Sequence, residues 1–206
     1  MIRRTPLILL VSAPSGAGKT TVGEALLGHA PGLRRVTTCT TRAPRGSEVH
    51  GVDYHFLSSD DFSGRVGRGE FLEHATVYGR SYGTLKSSVL ELLGEGSDVL
   101  LIIDVQGAAS VRKAAQADPI LARALVTVFL TPPTMSQLEQ RLRGRGSDSE
   151  ESLRCRLEAA RSEAARWTEF DYLLLSDTRE ADLARLRAIY DAESLRRDRQ
   201  DFQLAD

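Results

Sequence analysis

Within this 206-residue chain, the stretch Ala13-Pro14-Ser15-Gly16-Ala17-Gly18-Lys19-Thr20 carries the residue types that most directly specify chemistry. It follows the pattern G-x-x-x-x-G-K-[ST], with alanine standing for the first glycine. A glycine-rich turn at the start of a helix aims successive backbone N–H groups at one point, where they cradle phosphate oxygens. The lysine bridges the β- and γ-phosphates, and the threonine hydroxyl offers an oxygen to Mg²⁺. A strand-to-helix turn can acquire a lysine by accident. Against that stand the apolar run before the octet, the helical pattern after it and the Lys19-Thr20 pair itself. The octet specifies a nucleotide-phosphate site and leaves the reaction open.

A second anion site is written into residues 37–54, TTCTTRAPRGSEVHGVDY. Arg42 and Arg45 lie three apart across Pro44, too irregular for a helix, and each guanidinium offers a planar fork to a phosphate. Tyr54 and Tyr82 add phenolic donors, and Glu48 places an acid beside the arginines. A surface pair of arginines is usually just solvated. The grouping with an acid and two tyrosines next to glycines is what points to a bound phosphate.

The order Thr41-Arg42-x-Pro44-Arg45-x-x-Glu48-x-x-Gly51-x-Asp53-Tyr54 resembles the signature of the guanylate kinase family. Gly69-Glu70-Phe71-Leu72-Glu73, Tyr82-Gly83-Thr84, Asp104-x-Gln106-Gly107 and an Arg-Gly-Arg-Gly run near 145 follow in that family's order, so the likeness spans residues 7 to about 177. The resemblance implies transfer of the γ-phosphoryl of ATP to GMP, giving ADP and GDP. It places Thr38, Arg42, Arg45, Tyr54 and Tyr82 on the GMP phosphate with Glu48 nearby, and Glu73, Thr84 and Asp104 at the guanine. Guanine presents N1–H and an exocyclic amine side by side, and an ionised Glu73 accepts from both. Adenine turns a lone pair there, which a carboxylate repels. A site built on such bonds rejects an analogue lacking them by up to ~10⁴. The resemblance also puts Arg141, Arg145 and Arg156 in or beside a lid, where they join Lys19 and Arg42 in meeting the charge of the transferred group. Three positions depart from the family pattern: Ala13 for glycine, Ile102 for the first aspartate of D-x-D-x-Q-G, and Ser176 for an asparagine expected against the adenine.

Phosphoryl transfer asks little covalent help of a protein; it needs two anions held in line with their charge neutralised. Two rivals compete with this reading. A related phosphotransferase could act on another nucleotide or a sugar phosphate, and Glu73 with Thr84 argues against it. A catalytically silent guanylate kinase-like binding module is the other, and Lys19 with Thr20 argues against that.

The elements that must hold these residues read as an α/β protein: a P-loop fold with a parallel core sheet flanked by helices. Leu7–Val11 is a continuous apolar run that suits a strand buried on both faces, with a helix from near Gly18 to about His29. Similar runs at 99–103, 124–130 and 172–175 alternate with helices over 105–117, from Thr134, and through Leu183, Leu186 and Tyr190. The core is expected over 1–37, 89–131 and 167–206, with a small mixed GMP-binding insertion over 38–88. Residues 132–166 form the lid region, a charged helical hairpin with glycine at its root that is able to close and exclude water.

Composition excludes several classes. Hydrophobic residues make up 41% and charged residues 27%, as in an ordinary folded domain. Net charge is −1, whereas a nucleic-acid binder carries a basic excess. Cys39 and Cys155 lie far apart with no metal-ligand spacing, which suggests a reducing compartment. The opening MIRRTPLILLVSAPSG has an apolar run too short for a signal peptide, and no stretch approaches the roughly 20 residues that span a bilayer. A cytoplasmic enzyme with small-molecule substrates, no nucleic acid and no membrane is expected; the sequence specifies no oligomeric state.

Overall fold

The computed structural model describes residues 3–77, 79–144 and 150–202. A two-residue strand, β1 (Arg3–Arg4), leads into β2 (Ile8–Ser12), whose five residues are all buried. The phosphate loop follows, then α1 (Lys19–Leu27) and β3 (Leu33–Arg35). An excursion comprises β4 (Cys39–Thr40), β5 (His55–Phe56), α2 (Ser59–Gly67), β6 (Phe71–Val77) and β7 (Arg80–Leu85). The chain returns through α3 (Lys86–Gly94) to β8 (Asp98–Ile103), then α4 (Val105–Ala117), α5 (Pro119–Ala124) and β9 (Leu125–Thr131). It ends with α6 (Met135–Arg143), α7 (Glu150–Ala164), β10 (Tyr172–Leu175), α8 (Arg179–Ser194) and β11 (Gln200–Asp201).

The core sheet is parallel, in the order β10-β9-β2-β8-β3. Alternation along β2 shows why an unbroken apolar run was needed. Leu7, Leu9 and Val11 face a cluster with Val22 and Leu26 of α1, Leu186 and Tyr190 of α8, and Leu138, Leu142, Leu153 and Ala160 of α6 and α7. Ile8 and Leu10 face the opposite cluster, with Val89 and Leu93 of α3, Ala108 and Val111 of α4, and Leu121 of α5. A strand between two helical layers can spare no polar face.

The sequence reading found four core strands, and the sheet has five. β3 escaped because only Leu33 of its three residues is buried, and an exposed Arg34-Arg35 pair leaves no apolar run to see. β9 begins one residue later than read, because α5 takes residues through Ala124. Asp118 caps that short helix by accepting from the N–H groups of Ile120 and Leu121. The excursion forms a second, mixed sheet in the order β5-β4-β7-β6. Its β4 and β5 run parallel, and its other two pairs antiparallel.

Candidate active site

The phosphate loop bridges the C-terminal end of the central strand and the start of α1. Gly16 has φ 89° and Gly18 φ 101°, left-handed values that side chains resist. At Gly16 space is also closed, since a Cβ there would fall 2.7 Å from a Leu142 methyl of α6. Ala13 is buried to 1% exposure within the first core cluster, so the methyl that replaces the first glycine is accommodated by packing. Gly18 caps α1 with no side chain, and no acid lies in the first helical turn, so the N–H groups at the helix start face the loop without an internal carboxylate from α1.

One loop N–H does have an internal anion. Ser15 donates its backbone N–H to Glu163 of α7 at 3.2 Å. Burial pushes the Glu163 carboxyl up, and the charge of Asp104 adds to this while Ser15, Lys19 and Arg166 oppose it. On the loop's other side Arg141 donates to the Ala17 carbonyl at 3.0 Å and to Ser176 Oγ at 2.9 Å. Ser176 in turn donates to Asp182 at 2.6 Å. The Arg141 guanidinium thus braces the phosphate loop against the end of β10. Arg156 lies partly buried on α7, and Arg145 falls outside the described residues.

The second anion site assembles around Arg42. Its guanidinium forms a two-pronged pair with Glu48, both bonds 2.9 Å, and lies over the Tyr54 ring at 5.3 Å. Glu48 also accepts from the Arg45 N–H at 2.8 Å, and Tyr54 meets Tyr82 edge-on at 6.4 Å. The Glu48 bond holds Arg42 firmly charged, and Arg42 with the Arg45 N–H holds Glu48 below the usual carboxylate range. Arg45 itself is exposed.

Glu73 is buried to 7% exposure. It stands where the β6–β7 register shifts, between Phe71 and Glu73, and Thr84 of β7 donates to its Oε1 at 2.6 Å. This leaves the Thr84 proton engaged with Glu73 rather than aimed at a ligand. Burial is the main influence on Glu73 and raises it above the ordinary carboxylate range. Asp104 caps α4 through the Gly107 N–H at 2.8 Å. Ile102 packs on α1: a Cβ at Gly23 would fall 2.6 Å from its Cδ1.

Part of each site lines one cleft of about 310 Å³, whereas Arg42, Arg45, Glu48 and Thr84 are not among its lining residues. Lys19 and Thr20 of the phosphate loop and α1 line it together with Thr38, Tyr54, Glu73, Tyr82, Ile102 and Asp104. Arg35, which no motif flagged, also lines it; one of two adjacent exposed arginines on a three-residue strand has no sequence signal. Glu163 was equally hidden, inside a helix dense in charge. Arg141, Ser176 and Asp177 border a separate groove of about 700 Å³ beside β10. Among the described residues no helix is long and apolar enough to cross a membrane.

A parallel sheet that feeds a phosphate loop, joined by a cleft to a second anion site, defines a P-loop phosphotransferase. A sequence model described as guanylate kinase matches residues 3–193. The chain is 44% identical over 199 residues to a guanylate kinase of Paramagnetospirillum magneticum, covering 97% of this chain and 90% of that protein. It is 46% identical to the one of Anaeromyxobacter dehalogenans, covering 92% and 82%. The crystal structure of guanylate kinase from Anaplasma phagocytophilum superposes with a TM-score of 0.74 at 28% identity, covering 97% and 92%. The chain belongs to the guanylate kinase family, and its reaction is the ATP-dependent phosphorylation of GMP to GDP.

Proposed function

We propose that the transfer takes place in the 310 Å³ cleft, with each substrate held by the residues on its own side. The observation carrying this is that Lys19 and Thr20 share one cavity with Glu73 and Tyr82, although 53 or more residues separate the two pairs in sequence. The loop Ala13–Thr20 holds the ATP phosphates, with Lys19 across the β- and γ-oxygens. Ser176 and Arg141 border the groove that receives the adenine. Arg42, Arg45, Thr38, Tyr54 and Tyr82 hold the GMP phosphate, and Glu48 keeps the Arg42 fork planar against the Tyr54 ring until it arrives. Glu73 reads the guanine N1–H and amine, Thr84 acts by orienting Glu73, and Asp104 borders the base. Arg156 and Arg145, with Arg141 behind the loop, meet the charge spread over the transferred group as residues 132–166 close over it. Residues 38–88 serve as the GMP-binding unit on a core of 1–37, 89–131 and 167–206.

Mg²⁺ fits this arrangement. The Thr20 side chain is exposed at the cleft beside Lys19, and Mg²⁺ takes one or two protein oxygens together with phosphate oxygens and water. Thr20 would hold the ion there, and the ion would supply neutralisation of the phosphate charge. Transfer is direct, with no covalent phosphoenzyme, and the setting is cytoplasmic nucleotide metabolism.

The test is ADP release from ATP and Mg²⁺ with GMP, AMP, CMP or UMP as acceptor. GMP alone should support fast turnover. Lys19→Ala should abolish that turnover while calorimetry still registers GMP binding. Equal loss of turnover and GMP binding would contradict the division of the cleft into two sides.

A further inference from the structure

Gly107 lies in the first turn of α4, buried, with its N–H engaged by the Asp104 cap. A Cβ built there would stand 3.0 Å from Glu73 Oε2, 3.4 Å from the Ile103 Cβ and 3.5 Å from Asp104 Oδ1. The last two distances are ordinary or nearly ordinary contacts. The first is not, and it comes from a different element, β6, pressed against the helix start. A side chain at position 107 would therefore crowd one carboxylate oxygen of Glu73, which would have to give way by a few tenths of an ångström.

We propose that Gly107 is a specificity-determining position: it acts through Glu73, by leaving room for the carboxylate that reads the guanine. The inference rests on the role given to Glu73 above. Glu73 has little freedom to yield. Its Oε1 is bound by Thr84 at 2.6 Å and its side chain is buried, so a methyl at position 107 displaces Oε2 only by lengthening that bond or turning the carboxylate plane. A carboxylate accepting two parallel N–H bonds loses most from such a turn. The fold loses little, because the clash is with the end of a side chain, and alanine replaces glycine in a helix with a gain of helix propensity. A helix-packing role and a base-reading role thus predict opposite patterns.

The experiment compares Gly107→Ala, Glu73→Gln, Glu73→Asp and the double variant Gly107→Ala/Glu73→Asp in the full chain, reading KM for GMP and for ATP, kcat, the GMP-over-AMP preference and Tm. Gly107→Ala should raise KM for GMP by about tenfold or more, the scale of a misplaced positioning group, with KM for ATP unchanged and Tm not lowered. In the Glu73→Asp background the shorter carboxylate no longer reaches position 107, so adding Gly107→Ala should cost nothing further. Three results overturn the proposal: equal loss toward GMP and ATP, the same loss in the Glu73→Asp background, or a fold lost in both backgrounds. If Glu73→Gln leaves the GMP-over-AMP preference intact, the role of Glu73 falls and Gly107 with it. If Glu73→Gln destroys the preference while Gly107→Ala leaves it untouched, only the Gly107 proposal falls.

Discussion

In the proposed base-reading role, Glu73 is pulled one way by the fold and the other by its ligand. Burial holds its carboxyl above the ordinary range, opposed by the Thr84 hydroxyl and reinforced by Asp104. The guanine N1–H and amine are both donors, so only the ionised form serves. Affinity for GMP should therefore drop as pH falls through that raised value, giving kcat/KM for GMP an acid limb. Steady-state rates against pH should show this limb in the parent and lose it in Glu73→Gln; the same limb in both would assign it to the GMP phosphate. The stability sign is opposite. A carboxyl whose affinity for its proton is raised by folding favours the native state as pH falls, and its ionised form costs stability at higher pH. Glu73→Gln should accordingly melt higher than the parent at neutral pH, by scanning calorimetry. Glu48 already pairs with both terminal nitrogens of Arg42, so in the proposed site an incoming phosphate would have to compete with that pair.

Between elements, the contact of α1 with β8 explains the departure at position 102. Where the family pattern has a carboxylate, Ile102 sits against the bare backbone of Gly23, with its Cδ1 in the space a Cβ would need. The Ile102 side chain thus fills the room that a side chain at position 23 would need. Gly23→Ala should overpack this seam and destabilise the protein by about 1–3 kcal/mol, less a helix-propensity gain of up to about 1 kcal/mol. Ile102→Val removes the offending Cδ1, so the double variant should be more stable than the sum of the singles allows. Urea denaturation measures all three, and simple additivity would dissolve the pairing. The same scale shows how α6 and α7 reach the site. Leu138, Leu142, Leu153 and Ala160 seat both helices in the core cluster, while Arg141 and Glu163 reach the phosphate loop from them. Movement of either helix is thereby felt at Ala17 or Ser15.

Across the molecule, Asp98 ties distant parts of the chain together. Fully buried at the start of β8, it accepts from the Leu7 N–H at 2.9 Å, from Arg4 and from the Tyr190 hydroxyl of α8. Beside it β1 pairs with β11, so the first and last described strands close on each other. The Tyr190 hydroxyl is pushed far up by burial and by its bond to Asp98, which keeps it a donor. Asp98→Ala should cost about 3 kcal/mol or more, since three donors lose a buried acceptor at once. Arg4→Ala should cost much less, because that side chain is 32% exposed and water replaces the loss. Equilibrium unfolding of the two variants tests the order, and equal costs would show that Asp98 acts only through Arg4.

By itself the sequence determined the chemistry of each anion site and the burial of the strands between them. Local rules suffice there: a lysine after glycines at a helix start, arginines around a proline, an apolar run long enough for a two-faced strand. The strand read at Tyr172–Leu175 and the helix at 105–117 appear with those limits for the same reason. Only the tertiary structure decided that Lys19 and Glu73 share a cleft, that Glu163 and Arg141 grip the phosphate loop, and that Ile102 and Glu73 approach Gly23 and Gly107. Each of these depends on a close approach between residues tens of positions apart. A glycine in the sequence records that a side chain is missing, but not which neighbour approaches it, and burial, which no local pattern shows, is the main thing that sets Glu73 apart from the other acids.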